Sequence, residues 1–237
     1  MQATSPYESP VEPPSRPLGR RIVDTFFAPG DLFASFGERP PWLLPVLIAM
    51  VVTAVGFFLL PTDLYVEQMR DQLRSNPEAG RAMDPESMAK WGRLSGAVFG
   101  PLGMLLGVFL TAGILALVFR VIMSGEAGFR QYLGVAGHAS LITALGTVVM
   151  VPLWIATGDM QTRLSLALLT PFLEPTNFLH RVLQGIDVFG LWWIAVLALG
   201  VSVLNRKCSW GTAAAIVFGV YLLFLIGGAT LATLFQR

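Results

Sequence analysis

Few residues in this chain could do chemistry, and their spacing narrows what that chemistry could be. Two histidines, His138 and His180, lie far apart, with no HExxH pattern, no CxxC pair and no Gly-rich loop ending in Lys-Ser/Thr. The single cysteine, Cys208, excludes an intrachain disulfide and a cysteine-only metal cluster. Ser140 stands two residues beyond His138, which on a helix turns its hydroxyl to another face, so no serine–histidine pair is marked. Without paired acid and base groups or ligand spacing, the chain reads as a non-enzyme with no cofactor and no metal. Two polar groups remain of interest. His138 is the one ionisable residue well inside an uncharged run, and Asp187 immediately precedes another such run. A ring in hydrocarbon must face a partner or a water-filled cleft. His138 is therefore either a structural histidine bonded to a carbonyl or hydroxyl, or a relay on a polar path.

The elements that position these groups are apolar helices. Of the 237 residues, 54% are hydrophobic and 13% charged, about half the roughly 25% charged content of a soluble domain. With a mean hydropathy of +0.64, the composition predicts an all-α, polytopic helical membrane protein. Five spans are expected, at about 42–60, 96–119, 132–156, 188–204 and 211–235. The fourth is the sharpest: Val188–Leu204 is 17 uncharged residues bracketed by Asp187 and Asn205, with Trp192 and Trp193 near its start. Net charge is +1 and no basic stripe exists, so nucleic acid is not an expected partner.

Around the spans lie segments of other character. Residues 1–17 carry five prolines among polar residues and read as a disordered Pro-rich tail. Residues 18–40 form an amphipathic, interfacial segment, with Ile22, Val23, Phe26 and Phe27 on one face and Leu32, Phe33 and Phe36 on the next. Packing of that segment against the protein's own bundle is the alternative. Thr62–Leu94 holds five basic and six acidic residues, a mixture expected of solvated helices. A stop at Asn76–Pro77 and a cap at Asp84–Pro85 divide it. Leu164–Leu173, ten uncharged residues, is too short to cross and predicts an interfacial or re-entrant helix.

Small residues four apart mark where helices can meet. In lipid, close backbone approach is one of the few sources of helix attraction. Gly96, Gly100, Gly103 and Gly107 therefore nominate the second span as central, with Gly219 on a similar stripe in the last. Gly137, Ser140, Ala144 and Thr147 give the third span a small face as well. Lys and Arg divide equally, eight to each side, for either orientation of five spans. The short loops after spans two and four are basic, which favours a cytoplasmic N-terminus and an external C-terminus.

Three stretches together resemble a known family. They are FFAPGDLFASF before the Pro-Pro-Trp that opens span one, GEAGFRQYLGVAGHASLI leading into span three, and IDVFGLWWIAVLALGVSVL. The third is followed by a basic loop and a last span. From Phe26 to the C-terminus the chain is similar to the Yip-domain membrane proteins, named for interaction with Ypt/Rab-type GTPases, and to their shorter bacterial-type relatives. The resemblance implies five spanning helices with a cytosolic N-terminus, in a bacterial inner membrane. It implies no catalytic residues. The long polar N-terminal domain of eukaryotic members is reduced here to some 40 residues, which weakens any expectation of GTPase binding. The expected role is membrane organisation or scaffolding, with the lipid bilayer, other integral membrane proteins or a second copy as partners. Transport of an ion, small molecule or lipid along a polar path near His138 is the alternative.

Overall fold

The computed structural model describes residues 16–75, 84–174 and 176–234. The expected tail at 1–17 therefore lies almost wholly outside the described residues, as does the Asn76–Pro77 stop. Nine α-helices are described: α1 (Leu18–Phe27), α2 (Pro29–Ala34), α3 (Leu43–Leu59), α4 (Thr62–Ser75), α5 (Pro85–Leu115), α6 (Phe129–Thr157), α7 (Phe178–Gly185), α8 (Val188–Leu204) and α9 (Trp210–Leu234). A π-helical turn, Ala116–Ile122, extends α5. Among the described residues, the one strand-like pairing is an antiparallel bridge between Ser165 and Asp187.

Local chemistry sets the ends of these helices. Leu60 precedes Pro61, whose ring disfavours helical backbone in the residue before it, and Leu60 is accordingly extended. That break turns the chain by 82° between α3 and α4. Arg93 from α5 closes the end of α3, donating from Nε and Nη2 to the Phe58 carbonyl at 3.1 and 2.5 Å. A cation there suits the negative end of a helix dipole. α5 begins where expected, with the Asp84 carboxylate accepting from Ser87 N at 3.1 Å and Pro85 in the first turn. α6 stops at Gly158, whose φ of +70° is the left-handed conformation that glycine adopts without strain.

A helix occupies each of the five apolar stretches. Three are long and apolar enough to cross a membrane alone: Ala89–Ile122, α6 and α9. α3 and the start of α4 make a fourth if the bent pair is one span, and α8 is apolar but only 17 residues long. The chain is thus an all-α, multi-pass membrane protein. Leu164–Leu173 is not a helix. It contains a single 3-10 turn, Leu166–Leu169, because residues 164–166 are drawn into backbone bonds with 186–188: Leu166 N donates to Ile186 O and Val188 N to Leu164 O.

The bundle is built around α6, not α5. Tyr132–Ile142 is an unbroken buried run, and half of α6's most apolar window is buried, against 22% in α5 and 11% in α9. α6 packs on α3, α5 and α8. Its small face meets α3 as its spacing implied. A methyl group added at Gly137 would sit 3.0 Å from the Trp42 carbonyl oxygen, and Thr147 presses on Gly56. Ala144 shares a buried cluster with Ala49. On α8, the backbone at Gly200 leaves room for Val135 and Phe33.

The 18–40 segment divides between its two readings. Leu32 and Phe33 of α2 are fully buried against the bundle, so α2 is part of the core rather than a helix lying on lipid. Its apolar residues find α8, and burial there replaces an interface. α1 keeps Phe27 at 83% exposure, an apolar surface left for lipid. Arg16 and Arg20 bind the two oxygens of buried Asp24 at 2.7 and 2.9 Å, so Arg16, the next-to-last residue of the expected tail, is tied to α1.

Candidate functional site

His138 is enclosed. It is fully buried on α6, its Nδ1 donates to Gly134 O at 2.8 Å, and the Phe36 ring stands 5.3 Å away. A carbonyl can only accept, so Nδ1 carries the proton and Nε2 presents a lone pair. Nε2 has no hydrogen-bond partner among the described residues. Ser140 bonds instead to Gly137 O at 2.7 Å, leaving no serine–histidine pair. Apolar residues of α2, α3 and α8 pack around the same stretch of α6.

A polar cleft lies at Asp187. This carboxylate caps α8 by accepting from Gly190 N at 2.8 Å. It borders a cleft of about 290 Å³ lined also by Thr143 and Thr147 of α6, Arg163, Trp193 and Tyr221. Tyr221 donates to Gly185 O at 2.6 Å, and Gly185 packs closely on Leu225. Tyr221 lies 11 residues into α9, roughly 16 Å from its start at 1.5 Å per residue. The α7–α8 corner carrying Asp187 therefore leans on the middle of α9, rather than on its end.

An apolar groove of about 230 Å³ opens between α5 and α9, with Gly107, Leu110 and Ile114 on one wall, Val217 on the other, and Trp193 and Leu197 at its floor. Trp193 and Tyr221 border both this groove and the Asp187 cleft. The glycines nominated as packing contacts divide here. Methyl groups at Gly96 and Gly100 would touch Phe57 of α3 at 3.7 and 3.5 Å. At Gly103, Gly107 and Gly219 nothing lies within 4 Å. Those three are small where no described residue stands beside them.

One buried polar pair was not read from the sequence. Asn205, after α8, donates from Nδ2 to the Tyr132 hydroxyl at 3.0 Å and to Val201 O at 2.9 Å. The Tyr132 hydroxyl returns a bond to Asn205 Oδ1 at 3.3 Å. Gly125 gives Asn205 its space, since a side chain there would collide with the amide. The signal was present in the GEAGFRQY stretch, but its partner is 73 positions away. Beside this pair, Glu126, Arg206 and Lys207 border a cavity of about 400 Å³ with buried Cys208 at its edge. Burial pushes the Cys208 thiol above its usual range.

Among the described residues no three His, Cys, Asp or Glu side chains converge as metal ligands. The chain finds no match among curated proteins or among solved structures. A family model does match. The two stretches that form the Tyr132 contact and the Asp187 corner are those that carried the family resemblance, and both fall inside the residues matched, 23–231. By that match to the Yip1 domain, over nearly its whole length, the chain belongs to the Yip1 domain family of membrane proteins.

Proposed function

We propose that this chain is a non-catalytic membrane-organising protein that holds another integral membrane protein, or a second copy of itself, against its α5–α9 face. One observation carries the reading: Gly103 and Gly107 meet no neighbour within 4 Å, and the second borders an open apolar groove. Within lipid, apolar surface alone gives helices little reason to associate, whereas small residues let a partner backbone come close. The proposed arrangement is five spans in the cell membrane, with the basic loops cytoplasmic and the C-terminus outside.

The test is a photo-crosslinking amino acid at Leu110, on the groove, and at Val51, on the exposed face of α3, in native membranes followed by mass spectrometry. Both positions are more than half exposed. Protein adducts from Leu110 and lipid adducts from Val51 are expected. Lipid adducts alone from Leu110 overturn the reading. Solute passage is the second reading, favoured by the polar lining of the Asp187 cleft rather than by His138. Asp187→Asn keeps a capping acceptor while removing the charge, so a flux lost in that variant with folding intact would select it.

A further inference from the structure

The end of the bundle that carries α1 and the start of α3 holds a cavity of about 400 Å³ lined by Arg21, Arg39, Arg130 and residues 40–44. Three guanidinium groups border it and no acidic side chain does. The nearest acid on α1, Asp24, already has one oxygen bonded to Arg16 and the other to Arg20. Arg21 is left with Nε and Nη1 buried and without a hydrogen-bond partner. Arg39 and Arg130 are exposed, and neither has an ion pair among the described residues. Buried guanidinium donors without acceptors are costly, and three cations facing one space repel one another.

The backbone adds to this. Trp42 precedes α3 and offers no side-chain acceptor to the N–H groups of its first turn. A helix start of this kind favours an anion. Below the cavity the surface turns apolar. Leu43, Leu47, Val51 and Val55 follow one another at four-residue spacing down α3, each between 42% and 61% exposed. Cation cluster, helix start and apolar stripe thus succeed one another along one line from the bundle's end into the membrane.

We propose that this cavity binds the phosphate headgroup of an anionic phospholipid, with its acyl chains lying along the α3 stripe. The phosphate satisfies the Arg21 donors, while Arg39 and Arg130 close on it from the exposed side. Guanidinium groups suit this because they bind phosphate oxygens through two parallel hydrogen bonds. The site stands apart from the α5–α9 face and does not depend on what occupies that groove.

Native mass spectrometry of the full chain in detergent, titrated with phosphatidylglycerol, phosphatidylcholine or inorganic phosphate, tests it. Phosphatidylglycerol is expected to be retained in preference to phosphatidylcholine, and millimolar phosphate is expected not to displace it. The double variant Arg39→Gln/Arg130→Gln removes two exposed, unpaired charges. At the usual strength of a cation beside an anionic lipid, it is expected to weaken retention roughly thirty-fold, with the melting temperature unchanged. Arg21→Gln is expected to abolish the preference. Equal retention of both lipids, displacement by free phosphate, or unchanged binding in the folded double variant each overturns the proposal.

Discussion

Replacing Gly137 and Gly103 by alanine separates the contact the bundle is built on from the one it leaves open. At Gly137 the new methyl would lie 3.0 Å from the Trp42 carbonyl oxygen, 3.2 Å from Val46 Cγ2 and 3.3 Å from Trp42 Cβ. Two of those atoms are at or beside the start of α3 and cannot swing aside as a side-chain tip does. Overpacking of this kind costs about 2 kcal/mol, partly offset by the roughly 0.5–1 kcal/mol that alanine gains over glycine inside a helix. The net loss is about 1–1.5 kcal/mol, or roughly 3–5 °C in melting temperature for a chain of this size. At Gly103 nothing lies within 4 Å, so the propensity gain stands alone and the melting temperature is expected to hold or rise slightly. Thermal unfolding of the purified proteins in one detergent, followed by tryptophan fluorescence, measures both. A Gly137→Ala protein as stable as Gly103→Ala would refute the placement of α6 against α3.

Tyr132→Phe strips the hydroxyl from Asn205 and leaves its buried Oδ1 without a donor. It is expected to cost about 1–3 kcal/mol, read as a lowered melting temperature, while an unchanged value would place water in that contact. Asp187→Ala is expected to lose about 1 kcal/mol of capping and Asp187→Asn much less; equal losses would mean that the charge, not the cap, matters. Cys208 is expected to label slowly with a soluble maleimide at neutral pH. Its thiol is buried and its raised pKa leaves little thiolate, so labelling accelerates as pH rises or on denaturation. In a Cys208→Ala background, Lys207→Cys and Ser87→Cys, both at exposed positions, are expected to label from opposite faces of sealed vesicles, Lys207→Cys from the cytoplasmic one. Labelling from one face would dismiss the five-span arrangement.

Helix positions were legible wherever a local signal ended them. α8 has the bounds that Asp187 and Asn205 imply, since a cap and the end of an uncharged run are both written in adjacent residues. Leu164–Leu173 misled because its fate depends on Ile186 and Val188, more than a dozen positions on. The glycines of α5 left a different point open. A stripe of small residues states that a backbone can come close, not which backbone does, and at Gly103 and Gly107 none among the described residues arrives. α6 is apolar on all sides, so no polar face betrays its direction or its place at the centre. Arg21, Arg39 and Arg130 lie far apart in the sequence and share no motif, so their convergence on one cavity is a product of tertiary folding alone.

The break at Leu60–Pro61 has a consequence for the bilayer itself. α3 offers its lipid-facing stripe over only 17 helical residues, about 25 Å, before the chain turns through 82°. A hydrocarbon core is about 30 Å thick, and each ångström of mismatch costs a fraction of a kcal/mol. α9, at 25 residues, has no such deficit. Lipid beside α3 therefore meets a shorter apolar helix than lipid beside α9, and the mismatch cost falls on the α3 side alone of these two.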